Sequence, residues 1–531
     1  MKRLEILDTT LRDGGQAGGV TFSPRDKIAI VETLDGLGIP VLEAGCPGST
    51  PADAAFFREF ADRKAAGRKL ASSRLAAFTF TCKPGATPAR DPLLKAAIAS
   101  GAPIIVVCGK ASATHVSEVL RTTPDENLRI VGESVAFCRT AGRRVIFDAE
   151  HFFDGFKCDQ AYSLAVIDAA AAAGADTVCL CDTNGGSFPL DVATATAAAV
   201  KAVGRRASIG IHAHDDGDLA VANTIAAVRA GATHVQGTLA GFGERCGNAR
   251  LTSVIANLQL KLGFKCIPDE ALPELTPSVR RIAEIANVIL PDGLPYVGSR
   301  AFAHKAGSHA DGVRKCATTF EHVSPESVGN RRRVLVSEEA GRSSVLGRMR
   351  QVDPKLKRDD PAVAEVVGRV KELEAQGYQF DGADGSFDLL IRKTLGRYKP
   401  FFELDHYRVL SERPAPRDGS AAAFIKVRVD GHEEIAAGEG KGPVNALDCG
   451  LRLALERFYP ALHDVRLSDY KVRVLDGSAA TAAMVRVLIE STDGRDVWTT
   501  VGVSEDILEA SWIALVDAIE YKLIHNQANV G

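Results

Sequence analysis

From residue 4 to about residue 240, short apolar runs alternate with stretches of helical period. The runs are LEIL (4–7), PVLEA (40–44), LAAFTF (75–80), PIIVVC (103–108), RVIFDA (144–149), TVCLC (177–181), SIGIHA (208–213) and THVQG (233–237). Between them lie Ala-rich segments such as 24–37, 126–141, 159–173, 188–203 and 217–230, whose periodicity predicts helices. Strand–helix alternation means parallel strands joined by right-handed crossovers. Eight such units suit a closed (β/α)8 TIM barrel, with an open doubly wound sheet as the competing arrangement. The strands are β-branched and almost continuously apolar, as strands covered on both faces should be.

Beyond about residue 270 the pattern turns helical and more polar. RRRVLV (331–336) and a charged helix around 361–376 fall in this stretch. The last 130 residues repeat: LDHYRV (404–409) recurs as LSDYKV (467–472), and FIKVRVDG (424–431) as MVRVLIESTDG (484–494). After each comes a strand glycine, Gly438 or Gly502, and eight residues later a helical alanine, Ala446 or Ala510. A period of about 64 residues, three strands and a helix per copy, predicts a pseudo-symmetric α+β domain. The expected division is a barrel over 1–268, helical linker subdomains over 269–398 and a regulatory, dimerising domain over 399–531.

Composition narrows the function classes. The chain has 531 residues, 46% of them hydrophobic and 25% charged, with a net charge of −3, so nothing in its balance asks for nucleic acid or a membrane surface. No apolar stretch reaches the roughly 20 residues of a membrane span, and the start lacks the apolar core of a secretion signal. A cytoplasmic protein is expected. The eleven cysteines are scattered, which fits reduced thiols. Cys179 and Cys181 form an isolated C-x-C without the second pair a structural zinc site needs.

The candidate chemistry gathers at strand ends. His212 and His214, in GIHAHDD, are two apart on the seventh strand, so both imidazoles leave one face where barrel sites form. Asp215 and Asp216 are candidate acceptors for their ring N–H groups. Asp13, in DTTLRDGGQ, follows the first strand, and Asn248, in GFGERCGN, follows the eighth. Strands 1, 7 and 8 are neighbours in a closed barrel, so two nitrogens and two oxygens can meet around a five- or six-coordinate Lewis-acid ion. Its open positions would take a 2-oxo acid through carboxylate and keto oxygens. Arg12 is suited to a carboxylate or a developing alkoxide. Glu43, Glu150 and Thr183 each stand at the end of a strand candidate, the second, fifth and sixth. Taken singly, each of these residues has an ordinary reading as a cap, turn or salt bridge; the combination carries the argument. The glycines of RDGGQAGG match neither a P-loop nor a dinucleotide fingerprint.

DTTLRDGGQ, GIHAHDD and GFGERCGN, in this order and at these strand ends, resemble the signature of the acyl-CoA-condensing barrel enzymes called DRE-TIM metallolyases. GSRAFAHKAGSHADG (298–312) resembles that family's catalytic histidine segment, and the C-terminal repeat resembles the regulatory domain of its synthase branch. The branch includes 2-isopropylmalate, homocitrate and citramalate synthases. EAGCPGSTPAD (43–53), FDAEHFFDGFK (147–157), CDTNGG (181–186), VGNRRRVLVSEEAG (328–341) and VRVLDGSAATAAMVRVLIESTDG (472–494) are most similar to the citramalate group.

The resemblance implies condensation of acetyl-CoA with pyruvate at a divalent metal ion (Mg2+, Mn2+ or Zn2+). It implies Asp13, His212, His214 and Asn248 as ligands, and Arg12, Glu150 and His309 as catalytic residues. Arg12, Gln16, Glu43, Thr183 and Asp311 are implied to lie at the substrate, with Asp311 orienting His309. A homodimer with isoleucine or leucine as effector is expected, the effector seated at small-residue loops such as DGSAATAA (476–483). Departures from the family pattern fall at Gly18, Cys46 and Phe320, where a glutamate, a tryptophan and a tyrosine are usual. Condensation with another 2-oxo acid, an aldolase or lyase of the same barrel class, and a non-catalytic metabolite sensor are the alternatives. The C-terminal repeat weighs against the aldolase and the intact ligand set against the sensor.

Overall fold

The computed structural model describes residues 2–67, 69–304, 309, 312–313, 315–334, 342–357, 359–380, 382–411, 421–475, 483–494 and 496–528. Eight parallel strands close a barrel in sequence order: β1 (Glu5–Asp8), β2 (Val41–Glu43), β3 (Arg74–Phe80), β4 (Ile104–Lys110), β5 (Arg144–Glu150), β6 (Thr177–Asp182), β7 (Ser208–Ala213) and β8 (His234–Gly237). Closure comes from β8 pairing with β1, Leu7 opposite Gln236, which excludes the open sheet. Leu7, Val41, Ala76, Phe78, Val106, Ile146 and Cys179 fill the interior, so the barrel is a packed core rather than a pore. Local sequence starts the helices. Ser23 and Asp26 form a reciprocal capping box on the helix Pro24–Gly36. Asp91 and Thr123 cap the helices Pro92–Ala99 and Pro124–Thr140, each with proline in the first turn.

The chain separates into two compact units, one of residues 1–302 with 323–331 and one of 303–322 with 332–531. In the second, β9 (Ala303–His304) runs parallel to β10 (Arg333–Val334). Three antiparallel strands, β11 (Glu403–Ser411), β12 (Ala421–Val429) and β13 (His432–Gly440), lead into the helix Pro443–Leu455. The same order returns as β14 (Arg466–Val474), β15 (Val485–Thr492) and β16 (Val497–Ser504) with the helix Ile507–Ala528. Even the irregularity is duplicated: the register shifts between Leu404 and His406 in one copy and between Leu467 and Asp469 in the other.

The repeated glycines let each helix lie against its sheet. A Cβ on Gly438 would fall 2.3 Å from the Gly450 nitrogen, and one on Gly502 would fall 2.0 Å from the Ala510 carbonyl oxygen. The other face of the second sheet is covered by helices of the same unit, where Val501 and Val503 join Phe387 and Ile391 in one core. The corresponding face of the first sheet exposes Leu410, Phe424 and Ile435. Among the described residues, no helix is long and apolar enough to cross a membrane.

Candidate metal centre

The turn after β1 is built by its own side chains. Asp8 accepts from the Thr10 backbone N–H at 2.8 Å and from the Thr10 hydroxyl at 3.0 Å. Burial lifts the Asp8 carboxyl to about 7. Thr10 Oγ1 in turn accepts from Leu239 N at 3.0 Å, which ties the turn to the loop after β8. This aims Arg12 and Asp13 across the barrel mouth. The Thr9 hydroxyl lies 2.6 Å from Glu43 Oε2 and 3.1 Å from Asp13 Oδ2. Arg12 is clamped between two carboxylates, donating from Nε to Glu43 Oε2 at 2.5 Å and pairing through Nη1 with Asp13, while its guanidinium lies 4.2 Å over the Phe78 ring. Burial opposes its charge, but Asp13 and Glu43 outweigh it and hold the guanidinium protonated.

His212 and His214 converge as their spacing requires. Their Nε2 atoms are 3.4 Å apart, Asp13 Oδ2 is 3.6 Å from His212 Nε2, and the Asn248 amide is 3.2 Å from it. An isolated antiparallel bridge between His214 and Asn248 folds the loop after β8 back onto β7. Gly243 makes room there, because a Cβ would fall 2.0 Å from Asn248 Oδ1. Burial pushes both imidazoles down, His212 to about 4 and His214 to about 3, so at neutral pH both are uncharged.

This donor set fits a divalent ion. Two atoms bound about 2.1 Å from one ion lie roughly 3.0–3.4 Å apart, the separation the two Nε2 atoms have. Asn248 Oδ1 is buried without a partner among the described residues, and a half-turn of the amide would aim it at the same point. His212 Nδ1 lies 3.0 Å from Gln236 Oε1, and Gln236 donates from Nε2 to Asp148 at 2.9 Å. The amide therefore offers its oxygen to the Nδ1–H, leaving the Nε2 lone pair free for the ion.

Asp215 and Asp216 do not fill the role expected of them. Asp215 accepts from the Ala220 backbone N–H at 2.9 Å, where the following helix begins, and Asp216 pairs with Arg245 at 2.8 Å. His214 Nδ1 is left without a partner among the described residues. Gln236 and Asp148 escaped sequence reasoning. The available signal was parity, since Gly210 faces His234 across β7 and β8 and two residues on His212 faces Gln236.

The other candidates divide. Glu150 and Thr183 stand at the neighbouring ends of β5 and β6, where Glu150 pairs with Lys110 at 2.5 Å and Thr183 Oγ1 accepts from His151 N at 2.8 Å. Gln16 ends a short 3-10 turn and is exposed. His309 belongs to the second unit, exposed and stacked on Phe320 with ring centroids 4.2 Å apart. Asp311 lies outside the described residues, as do residues 476–482 of the expected effector loop. Gly18 opens to free space, and Cys46 Sγ sits 2.9 Å from Ser49 Oγ. Cys179, Cys181 and Asp148 offer ligand atoms within 4.8 Å of one another. Burial pushes the Cys179 thiol up to about 11, and the Cys179 side chain together with burial pushes Cys181 well up, which opposes the thiolates a metal needs.

Residues 3–283 match the HMGL-like family model, 296–378 the homocitrate synthase post-HMGL domain-like model and 381–523 the LeuA allosteric (dimerisation) domain model. The chain is 47% identical to an (R)-citramalate synthase of Aquifex aeolicus, over 99% of each chain. It is 45% identical to one of Synechocystis, over 98% of this chain and 96% of the relative. Among solved structures, a hydroxymethylglutaryl-CoA lyase from Pseudomonas aeruginosa is 22% identical with a TM-score of 0.47, covering 56% of this chain and 96% of the lyase.

Proposed function

The chain belongs to the HMGL-like family, in its citramalate synthase group, and from that premise we propose how it condenses acetyl-CoA with pyruvate and releases citramalate and CoA. The observation that carries the reading is the convergence of His212 Nε2, His214 Nε2, Asp13 Oδ2 and the Asn248 amide at the mouth of the barrel. A divalent ion bound there supplies Lewis-acid polarisation of the keto group. Arg12 holds its charge where the alkoxide develops, and its clamp to Glu43 and Asp13 keeps it from swinging away as charge builds. Glu150 and Thr183 frame the keto acid, and Gln16 contributes to binding it. His309, oriented by Asp311, takes the methyl proton of acetyl-CoA. Sequence similarity to the family's catalytic segment supports that role.

The three-part division at residues 268 and 398 follows the same reading: barrel chemistry, a linker that delivers His309, and a regulatory domain. We propose a cytoplasmic homodimer that feeds isoleucine synthesis, in which a second copy covers the exposed Leu410, Phe424 and Ile435 face. Isoleucine or leucine is the effector, bound in the C-terminal repeat. A truncation near residue 400 that still responded to the amino acid would overturn that regulatory assignment.

The test of function is CoA release from acetyl-CoA with Mg2+ or Mn2+ and, in parallel, pyruvate, 2-oxobutyrate, 2-oxoisovalerate and 2-oxoglutarate. Preference for pyruvate, abolished by chelator and by His212→Ala, is the expected result. Preference for another acid moves the substrate, and no release with any of them discards the condensation.

A further inference from the structure

Condensation leaves a citramalyl thioester, and none of the roles above supplies a base for its hydrolysis. The thioester carbon is two bonds from the newly formed carbinol carbon, so that base has to stand at the same strand ends as the metal ligands. Resting on the reading above, we propose that His151 is the catalytic base of this second half-reaction, holding the hydrolytic water together with Glu150.

Four observations carry it. His151 is a non-glycine residue in the left-handed region, with φ 59° and ψ 32°. Such backbone is strained and persists where surrounding structure enforces it, commonly at functional sites. Secondly, the ring is held in one orientation. His115 stacks on it with centroids 3.6 Å apart, Asp154 Oδ2 is 3.5 Å from Nδ1, and Asn184 donates to the same carboxylate oxygen at 2.7 Å. The hydrogen bond from His151 is the leading cause that lowers the Asp154 pKa. Thirdly, with Nδ1 turned to Asp154, Nε2 faces Glu150 Oε1 at 4.0 Å. That gap exceeds a direct hydrogen bond, yet one water about 2.8 Å from each atom fits at its apex. Fourthly, His151 N–H donates to Thr183 at 2.8 Å, and His214 N–H donates to the Asp182 carbonyl at 3.2 Å. The end of β6 thus connects the histidine to a candidate metal ligand.

In the step, water gives a proton to His151 Nε2 as its oxygen bonds to the thioester carbon. The tetrahedral species then breaks its C–S bond, and the departing CoA sulfur takes the proton back from Nε2. The carboxylic acid so formed releases the second water proton to solvent and leaves as carboxylate beside CoA thiol, and His151 returns neutral. Asp154 and His115 act as positioning residues.

His151→Asn is the sharpest variant, because asparagine tolerates left-handed backbone. Asp154→Asn is the second variant, in case the first fails to fold. Wild type and both variants, at equal metal content, receive either acetyl-CoA with pyruvate or synthetic citramalyl-CoA, and quenched samples are read by mass spectrometry. His151→Asn is expected to form citramalyl-CoA within about threefold of the wild-type rate but to hydrolyse it about 10²–10⁴-fold more slowly, so that the intermediate accumulates. Asp154→Asn should slow hydrolysis by about tenfold. Hydrolysis at the wild-type rate in both variants, or condensation and hydrolysis falling in proportion, overturns the assignment. Wild type that forms neither citramalyl-CoA nor citramalate from pyruvate overturns the function, and this assignment with it.

Discussion

At the mouth of the barrel, Glu43 Oε1, His214 Nδ1 and Asn248 Oδ1 are buried without a partner among the described residues. In the second C-terminal copy, Trp498 Nε1 donates to the Ala518 carbonyl at 3.0 Å, and Thr500 Oγ1 donates to the Ala514 carbonyl at 2.7 Å. Both regions bury polar atoms against tightly packed backbone. In the copy those atoms join a helix to its sheet and finish the fold. At the mouth they are left over after the fold is complete, and an unmet buried polar group costs about 1–3 kcal/mol. The difference separates groups kept for a ligand from groups kept for packing, and substitutions in the two regions should fail in different ways.

The largest expected effect is at the mouth. Asp13→Asn keeps the shape but removes the carboxylate's charge from the ion, and kcat should fall on the order of 10³-fold, about 4 kcal/mol. The thermal midpoint measured without added metal should not fall. Metal content by emission spectroscopy and kcat together check this; lost activity with unchanged metal content would remove Asp13 from the ligand set.

The opposite failure belongs to the copies. Gly502→Ala places a methyl 2.0 Å from the Ala510 carbonyl oxygen, so strand and helix must separate, at a cost of about 3 kcal/mol. Gly438→Ala meets the Gly450 nitrogen at 2.3 Å and should behave alike. Hydrogen exchange of the full chain should show lost protection in β16 and the helix Ile507–Ala528 for the first variant, with barrel strands unchanged. An effect of one glycine alone would mean the duplication is no longer structural.

Between these extremes lies Gln236, buried like a packing residue but oriented like a functional one. Gln236→Leu keeps much of the volume and removes the acceptor for His212 Nδ1–H. Metal affinity by calorimetry should weaken about 10–100-fold. Unchanged affinity would make the Asp148–Gln236–His212 chain a packing feature.

How much of this was legible in the sequence follows from what is local. The strand ends, the H-x-H parity and the duplicated glycines are local patterns, and the eight strands lie within a few residues of the apolar runs that predict them. Gln236 and Asp148 act through register between strands, which one sequence does not print. His151 carries no local signal, because its left-handed backbone and its stack on His115 arise from tertiary packing. The unequal use of the two sheets was equally hidden. Phe424 and Leu488 both read as outward positions of an amphipathic strand, but only Leu488 packs against the core that the unit's own helices build.

Glu520 is an exception that sharpens the comparison, a carboxyl buried in the packing region with Oε2 unpartnered among the described residues. Desolvation lifts it to about 7, although the Phe401 backbone N–H at 3.1 Å pulls the other way. In the unfolded chain a glutamate releases its proton near 4.3. Between that pH and about 7 the folded chain binds the extra proton, so stability falls as pH rises across this window and levels off above it. Glu520→Gln removes that slope. Melting curves of the two proteins should coincide near pH 4 and separate above pH 5, with the variant more stable by about 3 kcal/mol at pH 8. Parallel curves would mean that water or a bound cation satisfies the carboxylate. Glu520 would then join the mouth residues as a group awaiting a partner, and the distinction between the two regions would have to be redrawn.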